Sequence, residues 1–164
     1  MDLIVAVDSR WGIGRDNGLL ASVPGDMKFF RETTTGGVVV MGRKTLESMP
    51  GGRPLPKRVN IVITRQPGYD APGAVVVHDR KELEEALKEC GGKKVFIIGG
   101  GSVYREFYKD CQRCYVTKLQ EDLNADTFMV DLDEDPDFRL TEESPVHEEN
   151  GIKYTFCTYE KIEK

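Results

Sequence analysis

Asp26 is the residue whose type and place first suggest chemistry. It lies just inside a stretch that begins at Pro24 and carries Met27 and Phe30 at helical spacing. One reading is plain: an acid in the first turn complements the helix dipole. The other is a carboxylate bordering an apolar face. Such a group accepts two parallel hydrogen bonds from an N–H beside an NH2, the edge of an amino-substituted heterocycle.

A second feature is Val95-Phe96-Ile97-Ile98-Gly99-Gly100-Gly101-Ser102, an apolar run ending in three glycines before a helix. Absent side chains let backbone approach a ligand, and the amides that open a helix suit a phosphate. A tight strand-to-helix turn explains the triplet equally well. It is not G-x-G-x-x-G, because position 104 is Tyr. A third feature, Met41-Gly42-Arg43-Lys44-Thr45, also follows a buried run, and Thr64-Arg65 follows another. If these strands are neighbours, Arg43, Lys44 and Arg65 gather positive charge that fits an extra monoester phosphate on a dinucleotide. Taken singly, each base reads as a solvated rim. Arg58, after Arg53-Pro54-Leu55-Pro56-Lys57, is placed to pair with a carboxylate, or is a surface cation.

The elements that must hold these residues are legible from patterning. Short β-branched runs at 3–7, 38–41, 59–63, 74–77 and 95–98 read as strands buried on both faces. Helical patterns fall between them at 24–34, 80–90 and 102–108, the second opened by Asp79 and Glu82 as a capping box. After position 112 the pattern turns strand-like at 114–119, more weakly at 138–147, and again at 152–159, with Asn150-Gly151 as a hairpin turn. Alternating β and α followed by an antiparallel ending predicts an α/β fold: a mixed, mostly parallel sheet flanked by helices. No repeat or linker divides the 164 residues, so one domain over 1–164 is expected. The loops at 9–24, 50–57 and 66–73 are the natural ligand-binding segments.

Composition excludes several classes. The net charge of −5, from 23 basic and 28 acidic residues, argues against general nucleic-acid binding. No run approaches the roughly 20 apolar residues of a membrane span. The opening residues read as a strand, not a leader. Four cysteines include a C-x-x-C pair, Cys111 and Cys114, but the chain has only two histidines, His78 and His147, neither at ligand spacing. Free thiols and no metal are therefore expected.

Taken in order, the blocks resemble dihydrofolate reductase over nearly the whole chain. They are Ile4-Val5-Ala6-Val7-Asp8, Trp11-Gly12-Ile13-Gly14 with Asn17-Gly18, and Val23-Pro24-Gly25-Asp26-Met27-Lys28-Phe29-Phe30. Val40 to Thr45, Gly52 to Asn60, Ile97 to Tyr104, and Tyr115-Val116-Thr117 with Asp126-Thr127 follow. The resemblance implies that NADPH reduces 7,8-dihydrofolate to tetrahydrofolate, a one-carbon carrier, in a cytoplasmic monomer that binds neither nucleic acid nor membrane. It implies Asp26 as the catalytic, pterin-binding carboxylate, with Thr117 bonded to it. Val5, Ala6, Met27, Phe30, Met49 and Leu55 would surround the substrate's rings, and Arg58 would hold its glutamate carboxylate. Ala6, Ile13 and Gly14 would meet the nicotinamide. Gly42, Arg43, Lys44, Thr45, Thr64, Arg65, Ile98, Gly99, Gly100, Gly101, Ser102, Val103 and Tyr104 would bind the rest of NADPH. A cis peptide bond is expected at Gly99-Gly100.

One departure stands out. The family continues Asn-x-Leu/Met-Pro-Trp where this chain has Asn17-Gly18-Leu19-Leu20-Ala21-Ser22. Ala21 replaces an indole and Leu20 lacks proline's fixed φ, so a roomier site and looser substrate binding are expected. Ala21→Trp should tighten binding. Two other readings stay open at this point: a same-fold reductase of an aminouracil, and a catalytically silent NADPH- or pterin-binding module.

Overall fold

Runs of β-branched residues with no exposed face become the central strands. The computed structural model describes residues 1–15, 20 and 23–163. In chain order the elements are β1 (Asp2–Val7), β2 (Gly12–Gly14), α1 (Pro24–Thr34), β3 (Val38–Gly42), α2 (Arg43–Ser48), β4 (Val59–Ile63) and β5 (Val75–Val77). They continue with α3 (Arg80–Lys88), β6 (Val95–Gly99), α4 (Gly101–Phe107), β7 (Arg113–Leu119), β8 (Thr127–Phe128), β9 (Phe138–Glu143), β10 (His147–Glu149) and β11 (Ile152–Lys161).

The main sheet runs β10-β11-β7-β1-β6-β3-β4-β5, with β9 also paired to β11. Pairs from β7 to β5 are parallel, while β11 meets β7, β9 and β10 antiparallel. The expected α/β architecture is therefore present. Leu3, Val38, Val39, Val40, Met41 and Ile61 have no exposed surface. Fully burying each such side chain favours the fold by roughly 1.5–3 kcal/mol. Among the described residues, no helix is long and apolar enough to cross a membrane.

Three details differ from the patterning. The expected strand over 138–147 divides into β9 and β10. Pro145 lies between them and has no N–H for a ladder. A small second sheet, β2 with β8, was not expected, because its strands are three and two residues long and too short for any periodicity to register. Helix α3 stops at Lys88, short of Cys90; its start is capped as anticipated, the Glu82 N–H donating to Asp79 Oδ1 at 2.8 Å. Asn150 and Gly151 both have positive φ, 53° and 77°, which a two-residue hairpin turn with matching twist demands.

Candidate active site

The sheet places the glycine- and base-rich motifs side by side. Because β3 lies between β4 and β6, the segments after them, 43–45, 64–65 and 99–104, meet at the same edge. Carboxyl ends of parallel strands are where such sheets leave a crevice. A cavity of about 890 Å³ opens there. Every residue expected at the dinucleotide lines it: Ala6, Ile13, Gly14, Gly42 to Thr45, Thr64, Arg65 and Ile98 to Tyr104.

The walls are close because side chains are missing. A Cβ on Gly101 would stand 2.7 Å from Thr127 Cγ2, and one on Gly42 would stand 3.2 Å from Val103 Cγ2. The Gly99-Gly100 bond is cis, as the resemblance implied. The first helical bond of α4 runs from the Tyr104 N–H to the Gly100 carbonyl at 2.9 Å, so the amides of 101–103 precede the ladder. Arg43 donates to Glu47 at 2.9 and 3.1 Å. Lys44 and Arg65 form no ion pair among the described residues. Free amides at one end and surplus cations at the other are the donor set a phosphorylated dinucleotide requires.

Eight further lining residues escaped the sequence reading, among them Ser48, His78, Arg80 and Thr127. His78 follows β5 as Arg65 follows β4, so the same strand-end rule would have found it. Thr127 lies in β8, which left no periodic trace.

The substrate side is assembled differently. Pro24 starts α1 at N1, where its missing N–H costs nothing. Asp26, in the first turn, accepts from Thr117 Oγ1 at 2.6 Å. Burial pushes the Asp26 carboxyl above the usual carboxylate range, and the Thr117 bond opposes that rise. Thr117 is 2% exposed and stands in β7 directly opposite Ala6 of β1. Ala6 and Val5 also line the dinucleotide cavity. One strand thus separates the carboxylate's anchor from the cofactor crevice.

The other end of α1 serves a cation. The Thr34 hydroxyl donates to the Phe30 carbonyl at 2.8 Å and accepts from Arg58 Nη1 at 3.0 Å; Arg58 Nε donates to the Pro56 carbonyl at 2.9 Å. Arg58 has no carboxylate partner among the described residues, and burial together with the nearby Arg31 holds its guanidinium below the usual range. It is a positioned cation that an anion would relieve. Asp26 and Thr34 are eight residues apart, a rise of about 12 Å along the helix. Phe30, Met49 and Leu55 are partly buried against the cluster of Ile4, Val39, Met41 and Leu46. Met27, by contrast, is 53% exposed. Asn17, Gly18, Ala21 and Ser22, and with them the expected roomier loop, lie outside the described residues.

Cys90, Cys111, Cys114 and Cys157 are not joined in disulfides, and burial pushes the Cys111 thiol up to about 12. The C-x-x-C pair is part of the core, with Cys111 and Cys114 both fully buried.

A mostly parallel sheet flanked by helices, a crevice lined by glycines and bases at its carboxyl edge and a half-buried carboxylate one strand away define a cofactor-dependent α/β enzyme. Comparison with known proteins sharpens the class. The family model described as dihydrofolate reductase matches residues 1–161. The dihydrofolate reductase of Bacillus subtilis is 36% identical, over 98% of this chain and 94% of that protein. That of Staphylococcus haemolyticus is 34% identical, over 99% and 96%. A solved dihydrofolate reductase from Enterococcus faecalis, complexed with NADP(H) and RAB-propyl, superposes with a TM-score of 0.85 at 32% identity, over 99% of this chain and 96% of that one. This chain belongs to the dihydrofolate reductase family.

Proposed function

We propose that this chain is an oxidoreductase that reduces 7,8-dihydrofolate to 5,6,7,8-tetrahydrofolate with NADPH. The observation that carries the proposal is the Asp26–Thr117 pair, set across β1 from a crevice with amides at one end and bases at the other. NADPH, when bound, supplies the hydride for the substrate's C=N bond. Arg43, Lys44 and Arg65 would hold its extra phosphate, the amides of 101–103 its diphosphate, and Ala6, Ile13 and Gly14 its nicotinamide end.

The chain's own residues then bind and polarise the pterin. Thr117 occupies Asp26 Oδ1. Ionised, Asp26 accepts the paired N–H and NH2 of the ring and favours its cationic form, which makes the C=N bond electron-poor. Arg58 takes the glutamate carboxylate, a bidentate partner for its fork. The proton for the ring nitrogen comes from water. His78 is engaged with the Thr64 carbonyl at 2.8 Å, and His147 is stacked on Tyr154. The Tyr104 hydroxyl donates to the Ile4 carbonyl at 2.8 Å, and burial pushes it up, so it keeps its proton. In this reading turnover slows as pH rises, because the ring cation becomes scarcer.

The chain reads further as one domain over 1–164, working as a monomer in the cytoplasm without a nucleic-acid partner. The thiols are unpaired as in a reducing compartment, and the net charge is −5. The test is dihydrofolate-dependent loss of NADPH absorbance, with NADH and an aminouracil as controls. Turnover with dihydrofolate and NADPH is expected. Turnover only with the aminouracil, or binding without turnover, would replace the proposal.

A further inference from the structure

Helix α1 carries Asp26, yet among the described residues its own sequence supplies no side-chain cap. The N-cap residue is Val23, which has no side-chain acceptor. The cap comes from far along the chain: the Gly25 N–H donates to Glu149 Oε1 at 2.9 Å, across 124 positions. The same oxygen accepts from the hydroxyl of Tyr154, which is 2% exposed and stacked under His147. Gly25 is small where this pair sits. A Cβ there would collide with both Glu149 Oε1 and the Tyr154 hydroxyl.

We infer that Glu149, oriented by Tyr154, is a positioning residue that clasps the start of α1 and so fixes where Asp26 presents its carboxylate. The register makes this specific. Tyr154 stands opposite Leu119, and Phe156 opposite Thr117, in the β11–β7 pair. Thr117 holds the Asp26 side chain at 2.6 Å, while Glu149 holds the backbone one residue before it. Two anchors, on β10 and β7 with β11 between them, therefore fix one acid. The Asn150-Gly151 turn sets the arrangement, because its two-residue loop places Glu149 opposite Ile152 and beside the helix start.

The inference rests on the reductase reading, and the parent enzyme separates the two. A parent without dihydrofolate-dependent NADPH oxidation would sink that reading. Given an active parent, KM for each substrate and kcat are measured for Glu149→Ala, Glu149→Gln and Tyr154→Phe, with thermal melting alongside. Removing a charged acceptor from a backbone amide is expected to raise the dihydrofolate KM of Glu149→Ala about tenfold. The NADPH KM should stay within about twofold, because no residue of β10 or β11 lines the crevice. Glu149→Gln should return the dihydrofolate KM to within about twofold of the parent, since its amide oxygen accepts equally. Tyr154→Phe, which leaves the fold's apolar contacts in place, should raise it about threefold and stands in if Glu149→Ala does not fold. An unchanged dihydrofolate KM in whichever of these variants folds would overturn the inference. So would an equal rise for both substrates, which would mean a general softening.

Discussion

The two halves of the site are built on different principles. The dinucleotide crevice is made of backbone at the ends of adjacent parallel strands, so each of its parts is a short segment whose place follows from its own strand. The substrate side depends on long-range ties: Asp26 on Thr117, 91 positions away, and Gly25 on Glu149, 124 away. A crevice of the first kind spreads its function over separate segments, though a wall such as Gly101 has no room for a side chain. A site of the second kind concentrates its function in a few bonds.

The sharpest break comes from Asp26→Asn. The amide keeps the oxygen that accepts from Thr117 but loses the negative charge, and removing such a preorganised group typically costs about 10²–10³-fold in turnover. With a substrate that is already protonated, the loss should be smaller. Stability should move the other way. Burial raises the Asp26 carboxyl in the folded chain, so the folded state holds that proton more firmly than the unfolded one. The resulting stability is present below the unfolded value and is lost as pH rises through the folded value. The Asn variant should therefore melt higher than the parent at pH 7, and the difference should vanish in acid. Equal melting at both pH values would remove the buried charge from the account.

Each end of the site then has its own cation to test. Arg58→Leu should raise the dihydrofolate KM about 30-fold with the NADPH KM unchanged, the loss of a charge-assisted, bidentate pair. Arg65→Gln should do the reverse: about a tenfold rise in the NADPH KM, with NADH turnover untouched. A double variant whose effects multiply would show that the two regions act independently. Strong coupling between them would contradict the division drawn above.

The same division explains what could be read without coordinates. The central strands were legible because each is a run of β-branched residues buried on both faces, and the crevice followed from the rule that ligands sit beyond their ends. His78, directly after β5, falls under the same rule. β2 and β8 were not legible, because two or three residues carry no period. On the substrate side, periodicity offered Asp26 only as one of two readings. Its pairing with Thr117 came from the family resemblance, and no local signal in 147–154 points toward Gly25. Hydrogen bonds between distant segments leave no trace in a window of ten residues.

The smallest expected effect is also the most diagnostic of how Asp26 is tuned. Thr117→Val keeps the volume and the β-branched shape that β7 favours, but it cannot donate to Asp26 Oδ1. The threonine bond lowers the Asp26 carboxyl against the rise caused by burial, so its loss leaves burial unopposed. The carboxylate then takes up its proton at higher pH than in the parent. Since kcat/KM reports ionisations of the free enzyme, the acid limb of its pH profile should move upward, while at pH 8 the variant stays within a few-fold of the parent. A limb displaced downward would mean that removing the hydroxyl lets water reach the carboxylate, and that solvent exposure outweighs the lost bond. An unmoved limb would mean that Thr117 fixes the angle of Asp26 without setting its charge.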